Sequence, residues 1–201
     1  LDATTTGTVT AEITSSSVDT LKTLTGTNAY TITIQGSDTG ITASELTTIS
    51  NATTVAVDAS AVTGLASDTA ANIKTLLTAG NDTAQFTGAS FESLATAVVS
   101  DTTLSGSELA DAIDQANTAT GGTGTVFTIT DASEITGSEA NFTDLLTDEG
   151  NSQIAITGQN LTVNTGEVSV STARSLSGTT TGTVTGTITS GTTIAAMLDE
   201  N

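Results

Sequence analysis

Any chemistry this chain does must be done with oxygen. Of its 201 residues, 22 are Asp or Glu, 49 are Thr, and none is His or Cys. Paired carboxylates can do acid–base work or ligate a hard cation such as calcium, with Thr hydroxyls and turn carbonyls completing the shell. The acids gather in a few places. Asp144, Asp148 and Glu149 share one stretch, Asp111 and Asp114 another, Asp199 and Glu200 a third. Asp38 with Glu45, and Asp131 with Glu134, stand where a strand turns into a helix. Asp38, Asp131, Glu134, Asp144 and Asp148 are therefore the candidate metal ligands. The three dense groups read equally as solvated helix faces, and the turn pairs as helix caps; both plainer readings are favoured. There is no EF-hand loop and no Gly-Gly-x-Gly-x-Asp array, so calcium is a candidate cofactor and none is assigned.

Other chemistries are excluded by what is missing. Without His or Cys, Ser-His-Asp and Cys-His nucleophilic systems cannot be built. One Tyr, no Trp and three cations leave little for a sugar-cleaving site, and the chain is not expected to be an enzyme. The Gly-rich stretch at Gly121–Gly124 lacks the Lys-Ser/Thr that a phosphate loop requires and reads as an ordinary loop. A net charge of −19, with only Lys22, Lys74 and Arg174 positive, rules out nucleic acid and anionic membrane surfaces as partners. No apolar run approaches the roughly 20 residues of a membrane span. Such acidity favours solubility in salty water and keeps neighbouring copies from clumping.

The elements that would position these groups are short. Apolar residues alternate in Thr8–Thr14, Tyr30–Ile34, Thr54–Ala59, Val126–Asp131, Gln153–Gly158, Leu161–Thr165, Glu167–Ser171 and Thr183–Thr189, which predicts half-buried strands. Ser16–Leu24, Ser67–Leu77, Ser90–Val98 and Thr192–Glu200 carry helical spacing instead. So do the runs after Thr42, Ser105 and Thr136, where Thr or Ser can cap and Glu follows in the first turn. Leu46 with Ile49, and Leu109 with Ile113, then share one face. All these helices are expected to be of two or three turns. From Gln153 to Thr189 strands are expected to follow one another without helices. Val55 and Val57 should pack on Ile73, Leu76 and Leu77 across one repeat.

Internal repeats set the architecture. Thr4–Thr10 reads TTTGTVT, and Thr179–Thr185 repeats it residue for residue. Asn28–Ile49 and Gly124–Leu146 run in parallel, each with an aromatic, a Thr-Ile-Thr, an acidic turn and an Ile-Thr-x-Ser-Glu phrase. Short strand, turn, short helix, repeated, predicts a β-rich α/β solenoid: a stack of short strands with covering helices, more purely β from about residue 152. The rival is a compact α/β domain, whose helices would be longer and whose strands would be more apolar. Residues 1–201 form one repetitive module, either a fragment of a longer array or a self-assembling subunit.

The phrases at Leu1–Val9, Val57–Leu65, Ser67–Gly80 and Val99–Ile113 resemble the Thr-rich repeats of very long extracellular surface proteins of cyanobacteria and other marine bacteria. The matching residues include Leu1, Asp2, Thr5, Gly7, Val9, Val57, Ala59, Ser60, Val62, Thr63, Ala70, Ala71 and Ile73. Ser177 stands where the first copy has Asp2. The resemblance implies a non-catalytic role at the cell surface, in layers, fibres, adhesion or motility, often with calcium. The expected function is a structural component assembling head to tail with copies of itself, the Thr6–Thr14 strand region meeting the region after Val184; cell-surface polysaccharide is a further partner of this setting. The alternative is an adhesive, ice-binding or cation-binding module, suggested by Thr183, Thr185, Thr187 and Thr189 on one face of a strand.

Overall fold

The computed structural model describes residues 9–13, 17–26, 28–36, 40–122 and 124–189. It is a mixed α/β structure of small parallel sheets and short helices. In chain order the elements are β1 (Thr10–Ile13), α1 (Val18–Leu21), β2 (Ala29–Ile32), α2 (Ala43–Asn51), β3 (Gly64–Asp68), α3 (Ala70–Gly80), β4 (Thr96–Val99), β5 (Leu104–Ser105), α4 (Gly106–Thr120), β6 (Val126–Ile129), β7 (Glu134–Ser138), α5 (Glu139–Gly150), β8 (Asn160–Thr165), α6 (Val170–Thr179) and β9 (Val184–Thr185).

Every strand pair is parallel, so each partner is reached only after a crossover. The sheets are β1-β2, β3-β4-β6 and β5-β7-β8-β9. Residues two apart face the same side, and the pattern holds across whole sheets. In the four-stranded sheet Leu104, Ile135, Leu161 and Val184 stand in one row and face inward; the first three are fully buried. Ser105, Thr136, Thr162 and Thr185 form the next row and face outward. In the three-stranded sheet Leu65, Ala97 and Phe127 make the inward row. Beyond the strands proper, single bridges carry the pairing from Asn28 to Thr53, Thr33 to Asp58, Val57 to Phe86 and Val168 to Ile188.

The helices follow the same order. Each of α1 to α6 packs against the next, and their apolar faces close over the strand rows. Leu46 and Ile49 of α2, Ile73, Leu76 and Leu77 of α3, Leu109 and Ile113 of α4, and Phe142 and Leu145 of α5 are all fully buried. The short strands are thereby covered by aliphatic side chains, with Phe86 and Phe91 edge to face at 5.2 Å in the loop between α3 and β4. Hydroxyls start the helices: Thr42, Thr69, Ser105, Ser138 and Ser169 each accept a hydrogen bond from the backbone three residues on.

Several expectations are corrected. The chain from residue 152 is not purely β, because Val170–Thr179 is helical: Ser169 caps it, accepting from the Thr172 N–H at 3.2 Å, and Leu176 is buried beneath it. The Val-x-Val alternation at Val168 and Val170 straddles that cap. The chain is not β-rich either, since helices take up more of the described residues than strands do. Ser90–Val98 is not a helix; Phe91 adopts φ of 65°, and the apolar positions Ala97 and Val99 belong to β4. Thr54–Ala59 and Gln153–Gly158 run along neighbouring strands without becoming regular strands themselves. Val55 is exposed, while Val57, Ile73, Leu76 and Leu77 are buried as expected. Helix α4, at 15 residues, exceeds two or three turns. Of the Thr and Ser that could cap α5, Ser138 does so, and Thr136 is spent in the ladder opposite Thr162. The expected helix at Thr192–Glu200 lies outside the described residues.

Candidate functional site

Several carboxylates here serve the backbone. Helix N-termini carry unpaired N–H groups and a partial positive charge. Glu45 closes a capping box with Thr42, its Oε2 accepting from the Thr42 N–H at 3.1 Å. It also receives Lys22 at 2.8 Å, and that ammonium, with the Thr42 bonds, holds the Glu45 carboxyl below its usual range.

Two further acids act across the stack. Asp68, at the end of β3, places Oδ2 2.7 Å from the Ser44 N–H in the first turn of α2. Its Oδ1 accepts from the Thr69 N–H at 2.8 Å and from Asn72 at 2.6 Å. Burial pushes the Asp68 carboxyl up, but the bonds from Asn72, Ser44 and Thr69 outweigh it and leave the pKa lowered. Asp101, one passage further on, places Oδ2 2.7 Å from the Ala70 N–H that opens α3. The starts of α2 and α3 are thus each met by a carboxylate from the following passage. Glu139, at the start of α5, reaches in the other direction along the chain, accepting from the N–H of Ser169, the cap of α6, at 3.0 Å; Ser169, then Thr172, lower its pKa. Sequence reading passed over Asp68 and Asp101. The available signal was the shared Ser-Asp-Thr at Ser67–Thr69 and Ser100–Thr102, at the end of one strand and just after the next.

A second group lies on the seam between α4 and α5. Asp114 is exposed on α4, Asp144 is exposed on α5, and Asp148 is buried on α5 with Oδ2 unpaired. Burial, then the charges of Asp114 and Asp144, raise the Asp148 carboxyl to about 6. Burial, then Asp144 and Asp111, raise Asp114 as well. Asp111 itself is held by Lys74 of α3 at 2.5 Å. The fold therefore joins two groups that the sequence presents separately.

The four candidate ligands among the described residues do not form one group. Asp38 lies outside the described residues, as do Asp199 and Glu200. Asp131 is exposed after β6. Glu134 accepts from the Thr162 hydroxyl at 2.6 Å, a cross-strand contact. Only Asp144 and Asp148 come together. Among the described residues no group of three acids is placed to hold a metal. The surface grooves lie elsewhere: one is lined by Gly36, Gly40, Gly64 and Thr96, another by Thr47, Lys74, Thr78 and Asp82. Thr183, Thr185, Thr187 and Thr189 are all exposed on one side of the last strand region. Across the sheet, however, the row at Thr183 continues into Asn160 and Glu134, so the hydroxyl row at Ser105–Thr185 stands alone. Comparison with protein-family models, with curated proteins and with solved structures gives no match.

Proposed function

We propose that this chain is a structural unit of a bacterial extracellular layer or fibre, built as a short solenoid and joined to copies of itself head to tail. The observation that carries this reading is the order of the pairings. Strands pair in parallel within three sheets, single bridges carry the pairing through the passages around Asp58 and Phe86, each helix packs on the next, and among the described residues β1 and β9, first and last in this order, each have a sheet partner on one side only. A stack of that kind buries its core between neighbours and ends in open edges that template another chain. Contacts between unlike ends do not close, so they build fibres or lattices rather than rings. The contact expected is between the Thr6–Thr14 region of one copy and the end of the stack around Val184 of another. The acidic surface suits this role, because repulsion between flanks leaves the ends as the favourable contact. The unit is proposed to be non-catalytic, with the carboxylates serving as caps and turn-formers.

Light scattering and electron microscopy of the purified chain, at physiological salt with and without calcium, test the reading. Fibres or sheets whose spacing matches the stack axis are the expected result. A chain that stays monomeric at high concentration would favour the adhesive or cation-binding alternative.

A further inference from the structure

We propose that residues 4–13 of one copy take, on β8 of a second copy, the seat that residues 179–188 hold on β8 of their own chain. The joint is then an exchange of one strand for its sequence double. This deepens the assembly reading above and rests on it, and it fixes the strand that the Thr6–Thr14 region meets.

The seat is defined by side chains as well as backbone. Thr180 is buried, and its hydroxyl donates to the Gln159 carbonyl at 2.6 Å. Gly182 passes so close over that carbonyl that a Cβ has no room. Val184 stands beside Leu161, and Ile188 is bridged to Val168. Backbone bonds complete the fit: Leu161 N–H to the Thr183 carbonyl and Val168 N–H to the Thr187 carbonyl at 2.8 Å, and Thr189 N–H to the Val168 carbonyl at 3.0 Å. The four residues that seat through their shape are Thr180, Gly182, Val184 and Ile188. Their counterparts 175 positions earlier are Thr5, Gly7, Val9 and Ile13, all identical. The one inward difference is Ala11 for Gly186. A Cβ there would lie 3.1 Å from Val168 Cγ1 and 3.2 Å from Val163 Cβ, side chains that must give by a few tenths of an ångström. Glu12 replaces Thr187 at an exposed position. Glu12 is the single charge in residues 4–13, and the rest of the incoming strand is neutral, so the joint brings little added repulsion in a chain of net charge −19.

The edges also agree. Ala29 N–H donates to the Val9 carbonyl at 2.9 Å. In a parallel ladder the backbone groups of Val9, Ala11 and Ile13 then face β2, and those of Thr10 and Glu12 face away. In the seat, the backbone groups that face β8 and Val168 beyond it belong to Thr183, Thr187 and Thr189, the counterparts of Thr8, Glu12 and Thr14. The two sets are opposite edges of one strand. The first phrase can therefore hold β2 and a neighbour's β8 at once, giving a continuous sheet across the joint. Side-chain alternation matches: Val9, Val184, Ile13 and Ile188 are half-buried, while Thr10, Thr185, Glu12 and Thr187 are exposed. Like replaces like, so the exchange is driven by concentration, and the resident strand competes with the advantage of being tethered.

The chain has no cysteine, which allows a clean trap. Thr162 pairs with Thr185, so the proposal sets Thr10 of one copy beside Thr162 of another. Thr10→Cys and Thr162→Cys chains are mixed at high concentration under mild oxidation, and the mixed disulfide dimer is measured against a Thr31→Cys and Thr162→Cys mixture. The expected result is a several-fold excess for the Thr10 pair. Adding Gly182→Ala to the Thr162→Cys chain evicts the resident strand and raises the yield; adding Gly7→Ala to the Thr10→Cys chain lowers it to background. A Thr10 yield no higher than the Thr31 yield overturns the proposal, and this comparison does not depend on the folding of Gly182→Ala. Assembled particles without the mixed disulfide overturn this joint and leave assembly standing; absence of both overturns both.

Discussion

Asp148 carries the least favourable charge in the described structure. It is buried, one oxygen is unpaired, and the charges that act on it, Asp114 across the seam and Asp144 on its own helix, are both acids. Its folded pKa of about 6 lies above the ordinary value of 3.8, so the folded state binds this proton more tightly than the unfolded chain. Stability from this group is therefore complete below about pH 4, falls as pH rises, and is gone above about pH 6. Asp148→Asn should raise stability at pH 8 by roughly 1 to 2 kcal/mol, allowing for solvent screening, and leave it unchanged at pH 3.5. Urea melts at the two pH values measure this; equal effects at both would mean the charge is not the cause. Asp68, Glu45 and Glu139 have the opposite sign. Their folded pKa values are lowered, so their contribution is present above the unfolded pKa and is lost as pH falls through the folded one. Asp68→Ala should cost about 1 to 3 kcal/mol at pH 7, because the Ser44 N–H and Asn72 lose their acceptor. Asp131→Ala, at an exposed position, should stay within about 0.5 kcal/mol.

At the scale of elements, stability lies in the helix faces pressed on the strand rows. Leu76 is fully buried in α3, between the passages of β3 and β4, and Leu76→Ala should cost roughly 2 to 5 kcal/mol by denaturant melting. Val55→Ala, one passage earlier and exposed, should change stability by less than about 0.5 kcal/mol. The contrast shows which parts of the fold could be read from sequence. Where a cap residue precedes a run with 3.6 periodicity, as at Thr42, Thr69 and Ser105, the helix was legible, because local chemistry and burial agree. Alternation was a weaker guide. It gives Val55 and Val57 equal standing, yet only Val57 meets the Phe86 passage; that pairing is decided 29 residues away. Helix α6 was missed because Val168, Val170 and Ser169 alternate like a strand while Leu176 is its single fully buried anchor. The strands Gly64–Asp68 and Glu134–Ser138 were missed because Gly, Ser and Ala dilute their apolar content, and parallel neighbours supply the ladder. The grouping of the acids was illegible for a related reason: sequence neighbours such as Asp131 and Glu134 end up on different tasks. Asp114 and Asp148, 34 positions apart, become neighbours only when α4 packs on α5.

For the molecule as a whole, the excess of negative charge is the dominant long-range force. Twenty-two acids face three cations, and two of those, Lys22 and Lys74, are already paired with Asp19, Glu45 and Asp111. At low ionic strength the remaining acids repel one another along the flanks, and the compact state suffers more than the expanded chain. Sodium chloride should therefore raise the melting temperature from a low-salt baseline. Most of the gain should come before about 0.15 M, where the screening length falls to about 8 Å, near the spacing of neighbouring helices. Calcium tests whether anything beyond screening is present. Many of the carboxylates placed in the structure are committed to N–H groups, hydroxyls or lysines, and among the described residues the α4–α5 seam brings acids together without a three-acid metal group. Calcium chloride at matched ionic strength should then shift the melting temperature as sodium chloride does, and chelation should do no more than dilution. A calcium shift well above the sodium shift would instead require ordered oxygen ligands. Repeating the scan on Asp148→Asn would assign it: loss of the excess places the ion on the seam, and its survival places the ligands elsewhere in the chain.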